Sequence, residues 1–153
     1  MKTFIRATTP ILFLTLLCIL AGCKTTDFAK DGSLASVVIS GYSEDQIRQA
    51  TIDVFTANGF SQTTGLTFEK QGTQHDTLMF GGLDSVRVWI RIRVHIVDQG
   101  MGRYALGCDA YAVQNHGDAL VETENRLRFS KDEECLDLLK QVRRQLTSSS
   151  PKS

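Results

Sequence analysis

Three histidines, four cysteines and a run of arginines around the single tryptophan are the groups in this chain with chemistry to offer. The histidines, His75, His95 and His116, are scattered and share no metal-ligand spacing. No Cys-x-x-Cys occurs, which argues against a dithiol redox role. No Ser-His-Asp or Cys-His grouping assembles, and Gly81-Gly82 has no phosphate-loop context. Glu122 and Glu124 lie two apart, the spacing of paired carboxylates on one strand face. Opposite Arg87, Arg91 and Arg93 they read better as cross-strand ion pairs. The sequence therefore predicts no catalytic site, no metal and no cofactor.

The functional reading left is a binding surface. Val86, Val88, Ile90, Ile92, Val94 and Ile96 alternate with Arg87, Trp89, Arg91, Arg93 and His95, the pattern of a half-buried antiparallel strand. Asp109 and Tyr111 fall on the same outer face of the next strand, and Glu122, Glu124, Arg126 and Arg128 on a third. Trp, Tyr and Arg dominate binding hot spots. Trp89, Arg87, Arg91, Arg93 and Tyr111 are the partner-binding candidates, for a protein or an anionic polymer. The preferred reading of the face is nonetheless a self-paired charged surface whose tryptophan covers arginine stems.

The elements that must position these residues follow from local signals. Val37-Val38-Ile39 reads as a strand ended by Gly41. Ser43 with Gln46 forms a capping box for a helix whose apolar face is Ile47, Ala50, Thr51, Val54 and Phe55, stopped by Asn58-Gly59. Leu66 to Lys70 alternates as a strand, and Thr77 to Phe80 reads as another short one. After the Val86–Ile96 strand, Asp98 to Gly102 turns, and Tyr104 to Val113 returns as the hairpin partner. Val121 to Phe129 alternates again. Ser130 with Glu133 caps a last helix with apolar face Cys135, Leu136, Leu139, Val142 and Leu146. The order predicts an α+β domain: an antiparallel sheet of four or five strands with two helices packed on one face.

The first 23 residues carry a separate message. Lys2 and Arg6 precede an apolar run from Ile11 to Leu20, followed by small Ala21 and Gly22. The run is about 10 residues, roughly 15 Å as a helix, against a hydrocarbon core of about 30 Å. Leu20-Ala21-Gly22-Cys23 resembles the lipobox of bacterial lipoproteins. That resemblance implies removal of residues 1–22, lipidation of Cys23 and membrane attachment through acyl chains. Lys24, in place of the Asp that retains such proteins at the inner membrane of enteric bacteria, implies the outer membrane facing the periplasm.

Residues 23–36 then form the lipidated cysteine and a flexible tether, residues 37–147 one domain, and residues 148–153 a disordered tail. Lys and Arg number 17, as do Asp and Glu. Loss of Lys2 and Arg6 leaves 15 against 17, a balance that gives no pull toward nucleic acid. Cys18 departs with the signal and Cys23 is lipidated, so Cys108 and Cys135 remain as one pair in an oxidising compartment. A disulfide between them would close a loop of about 27 residues and stabilise by roughly 3.5 kcal/mol in the chain-entropy model. The element order also resembles the helix-grip domains of a lipoprotein of the outer-membrane assembly machinery, with no shared motif. The expectation is a non-catalytic, lipid-anchored accessory or interaction module of the envelope. The alternative is a carrier or sensor holding a small apolar ligand between helices and sheet.

Overall fold

Alternation builds the sheet and capping builds the helices. The computed structural model describes residues 35–81, 87–127 and 131–149. In chain order the elements are β1 (Ser36–Ser40), α1 (Glu44–Ala57), β2 (Ser61–Gln62), β3 (Thr67–Gln71), α2 (Gln74–Phe80), β4 (Trp89–Gly100), β5 (Arg103–Gln114), β6 (Thr123–Arg126) and α3 (Asp132–Ser149). The architecture is α+β, as the sequence predicts, with six strands and three helices among the described residues.

All the strand pairs are antiparallel, in the order β1-β5-β4-β3-β2. β6 also pairs with β5, so β1 and β6 share one edge of that strand end to end: β1 takes Arg103 to Gly107, and β6 takes Tyr111 to Gln114. The β4–β5 hairpin turns through Gly100, Met101 and Gly102, all at positive φ. Met101 there is a non-glycine in the left-handed region.

One sheet face packs against α1 and α3. Ile90, Ile92 and Val94 of β4 point inward with Phe68 of β3, and Leu106, Cys108, Ala110 and Ala112 of β5 continue the layer. Phe55 of α1 stacks on Phe68 with ring centroids 4.5 Å apart. Ser43 caps α1 in the expected reciprocal box with Gln46. The two helices are clasped by Asn58 Nδ2 to Gln141 Oε1 at 3.2 Å and Gln145 Nε2 to Asp53 Oδ2 at 3.3 Å. None of the described helices is long and apolar enough to cross a membrane.

Three local expectations change. Thr77 to Phe80 is not a strand but the second half of α2. Thr73 caps that helix: Asp76 N donates to Thr73 Oγ1 at 3.2 Å, and Thr73 N donates to Asp76 Oδ2 at 2.8 Å. Asp76 also meets Lys131 Nζ at 3.0 Å, tying α2 to the start of α3. Burial opposes the charge on Asp76, yet these bonds from Thr73 and Lys131 hold its carboxyl below the usual 3.8. The strand expected from Val121 shortens to Thr123–Arg126, because Asp118 O accepts from Glu122 N at 2.8 Å and folds Val121 and Glu122 into a turn. Thr123 and Asn125 stay exposed while Leu127 is buried. The last helix runs to Ser149, two residues into the disordered tail expected from 148. Val86, Arg128, Phe129, the Ser130 cap, Cys23 with most of the tether, and the tail from 150 lie outside the described residues.

The expected Cys108–Cys135 disulfide is absent. Both residues are buried free thiols. The strand and helix do bring them together, but as hydrogen-bonded thiols. Burial first, and the contact with Cys135 second, push the Cys108 thiol well above its usual value and keep it protonated.

Candidate functional site

The sheet face away from the helices carries the candidate residues. Its centre is Arg91 on β4, opposite Glu69 of β3 on one side and Tyr111 of β5 on the other. The Arg91 guanidinium donates to Glu69 through Nε and to Glu124 through Nη1, and meets Glu122 Oε1 at 2.9 Å. Burial opposes its charge, and the hydrogen bonds to Glu122, Glu124 and Glu69 outweigh that, raising its pKa above the ordinary arginine value. Glu122 and Glu124 do meet arginines, but by reaching across the whole width of β5 rather than from an adjacent strand. Arg93 Nη2 holds both oxygens of Glu124 at 2.8 Å, with its guanidinium 4.6 Å from the centre of the Tyr111 ring. Arg126 bonds Asp109, which also faces His95 Nε2 at 3.3 Å.

Trp89 has a partner the sequence did not signal. The ring of His116, from the turn after β5, stacks on the indole with centroids 4.2 Å apart and planes 14° apart. His116 Nε2 lies 2.7 Å from Glu69 Oε2, so one carboxylate joins the stack to the arginine clamp. Glu69 is only 7% exposed, one of the few buried charged residues. The turn bringing His116 there uses Asn115 at φ 54° and Gly117 at φ 88°. Gly117 N donates to Glu122 Oε2 at 3.0 Å, and this bond, followed by the one from Arg91, holds the Glu122 carboxyl below its usual 4.5.

These groups wall an open hollow of about 410 Å³, with Thr63, Thr64 and Thr67 supplying hydroxyls beside Glu69, Arg91, Arg93 and His116. Arg87 is not part of it. That residue is exposed outside β4 and lines a separate hollow of about 460 Å³ with Gln71, Gln74 and Thr77. The structure thus gathers Trp89, Arg91, Arg93 and Tyr111 and leaves Arg87 apart. Among the described residues, no three His, Cys, Asp or Glu side chains converge as metal ligands. No family model, curated protein or solved structure matches the chain.

Chemically, the face is self-neutralising. Arg91, Arg93 and Arg126 are each bonded to a carboxylate, so none offers an unshared positive charge to a polyanion. What remains is a dense set of oriented donors and acceptors beside an aromatic stack. Glu69 and His116 escaped the sequence reading because their relation depends on tertiary approach. An acid on the outward parity of β3 was the only trace available.

Proposed function

We propose that this chain is a lipid-anchored, non-catalytic protein of a bacterial envelope. Acyl chains on Cys23 hold it in the outer membrane, and the domain faces the periplasm as an accessory module that binds a protein partner. The lipobox tetrapeptide supports the anchor. The interaction reading rests on one observation: the face opposite the helices sets His116 and Arg91 in the wall of an open polar hollow, with Trp89 stacked on His116 behind it. Aromatic groups and a positioned guanidinium recur where protein surfaces bind. Neutralisation of the arginines favours a protein over an anionic polymer. The resemblance in element order makes an outer-membrane assembly the partner class to search first. The apolar-carrier alternative draws no support from the interior, where Phe55, Phe68, Ile90, Leu106 and Leu139 fill the layer between helices and sheet.

The test has two arms. Intact mass and membrane fractionation of the native chain beside Cys23→Ser would give a mature form starting at acylated Cys23 and a variant that leaves the membrane. A photo-crosslinking residue at position 89, compared with one at exposed position 144, would give an envelope-protein adduct from the first position alone. A soluble, unlipidated native chain would refute the anchor, and equal labelling from both positions would refute the site.

A further inference from the structure

Among the described residues, one edge of β1 carries no strand, and β1 pairs only with β5. Cys108 N donates to Ala35 O at 3.2 Å and Gly41 N to Gly102 O at 3.2 Å, so odd-numbered backbone groups of this segment face β5. The N–H and C=O groups of Ser36, Val38 and Ser40 therefore point away from the sheet. Natural edge strands are defended by charge, proline or a bulge. β1 has none of these: its sequence is Ser-Val-Val-Ile-Ser, with unbroken register and Val38 half exposed at 50%.

That sequence reads almost the same in both directions about Val38. In an antiparallel pair centred there, Ser36 lies opposite Ser40 of the second copy, Val37 opposite Ile39, and Val38 opposite itself. The outward groups are those that form bonded pairs in this register, giving roughly six new backbone hydrogen bonds. Sliding the register by two residues either way leaves about four. Val37 and Ile39 point to the helix side and Val38 to the outer face, so the pairing continues the sheet and joins two Val38 side chains over it.

We propose that β1 pairs with β1 of a second copy of this chain, antiparallel about a two-fold axis through Val38, forming one continuous sheet. The contact is isologous and closes on itself, so it yields a dimer and no fibre. Its small area makes it weak in dilute solution. Confinement of two copies to one surface raises their effective concentration and compensates.

Single cysteines introduced into the full chain in cells, with mild oxidation and a non-reducing gel, test both pairing and register. The parent chain, with its native cysteines, is the background control. Val38→Cys gives a covalent dimer, because paired Cα atoms about 5.5 Å apart suit a disulfide. Ser36→Cys alone stays at the parent level, since its two copies are about 14 Å apart along the strand. Ser36→Cys co-expressed with Ser40→Cys gives the dimer again. Adding Val38→Arg to that last pair lowers the dimer band at least tenfold. A monomeric Val38→Cys chain, equal cross-linking at all three positions, or a Val38→Cys adduct with a different protein would each overturn the proposal.

Discussion

Replacing Arg91 with methionine is expected to destabilise the domain by about 2–3 kcal/mol. The figure starts from the burial of its partners. Glu69 has a side chain only 8% exposed, while those of Glu122 and Glu124 are 24% and 26% exposed. Removing one member of a buried ion pair costs about 3–5 kcal/mol, because the remaining charge is left without compensation. Here His116, 2.7 Å from Glu69, stays to share that charge, which lowers the figure. The two more exposed glutamates regain water and add little. Urea unfolding followed by circular dichroism measures the loss directly, and a thermal scan should show a fall of roughly 8–20 °C. Adding Glu69→Gln to the Arg91→Met chain should recover about 1–2 kcal/mol, since it removes the stranded charge. For scale, Arg48→Met breaks a surface pair whose side chains are 43% and 50% exposed, and is expected to cost at most about 0.5 kcal/mol. An Arg91→Met loss as small as that of Arg48→Met would refute the reasoning. So would a second substitution that deepens the loss.

Three further outcomes follow from described contacts. A Cβ on Gly72 would lie 2.8 Å from Val88 O and 3.1 Å from Asp76 Cβ, so Gly72→Ala should destabilise by about 1–3 kcal/mol in the same urea assay. Asp76, Glu122 and Glu134 all have carboxyl pKa values held below their ordinary 3.8, 4.5 and 4.5. Their stabilisation is complete above those ordinary values and is lost as pH falls through the lowered native ones, so the urea midpoint should drop between pH 5 and pH 3, by less in Asp76→Asn. Cys108 and Cys135 should resist a maleimide in the native state and label fully in denaturant, as peptide mass spectrometry would show by labels on these two residues only after unfolding.

Where a residue's role depends on its neighbours in the chain, the sequence was enough. Ser43 with Gln46 set the start of α1, and the alternation from Val88 to Ile96 set which side of β4 is buried. α2 carries a similar local signal, Thr73 followed by Asp76, but seven residues are too few for periodicity to outvote the strand-like Leu78-Met79-Phe80. The outward set Trp89, Arg91, Arg93 and Tyr111 was legible from parity. Its organisation was not, because Glu69 and His116 are 47 residues apart and meet only through the β3–β4 pairing and the turn after β5. Parity also could not reveal that β1 and β6, from opposite ends of the chain, divide one edge of β5 between them.

That divided edge decides how the domain responds to force. A pull from the amino-terminal side of β1 reaches the sheet through Ala35, whose carbonyl accepts from Cys108 N, and then the five residues registered against Gly107 to Arg103. Within one copy, among the described residues, β1 is antiparallel to β5 and has no strand on its other side, so a load drawn sideways opens the β1–β5 rungs in sequence, like a zipper, instead of shearing them together. Because β6 is registered on a separate stretch of β5, such peeling would leave the β5–β6 rungs and the outer-face cluster intact. β1 is then a mechanical fuse, the part that yields while the outer-face cluster keeps its shape.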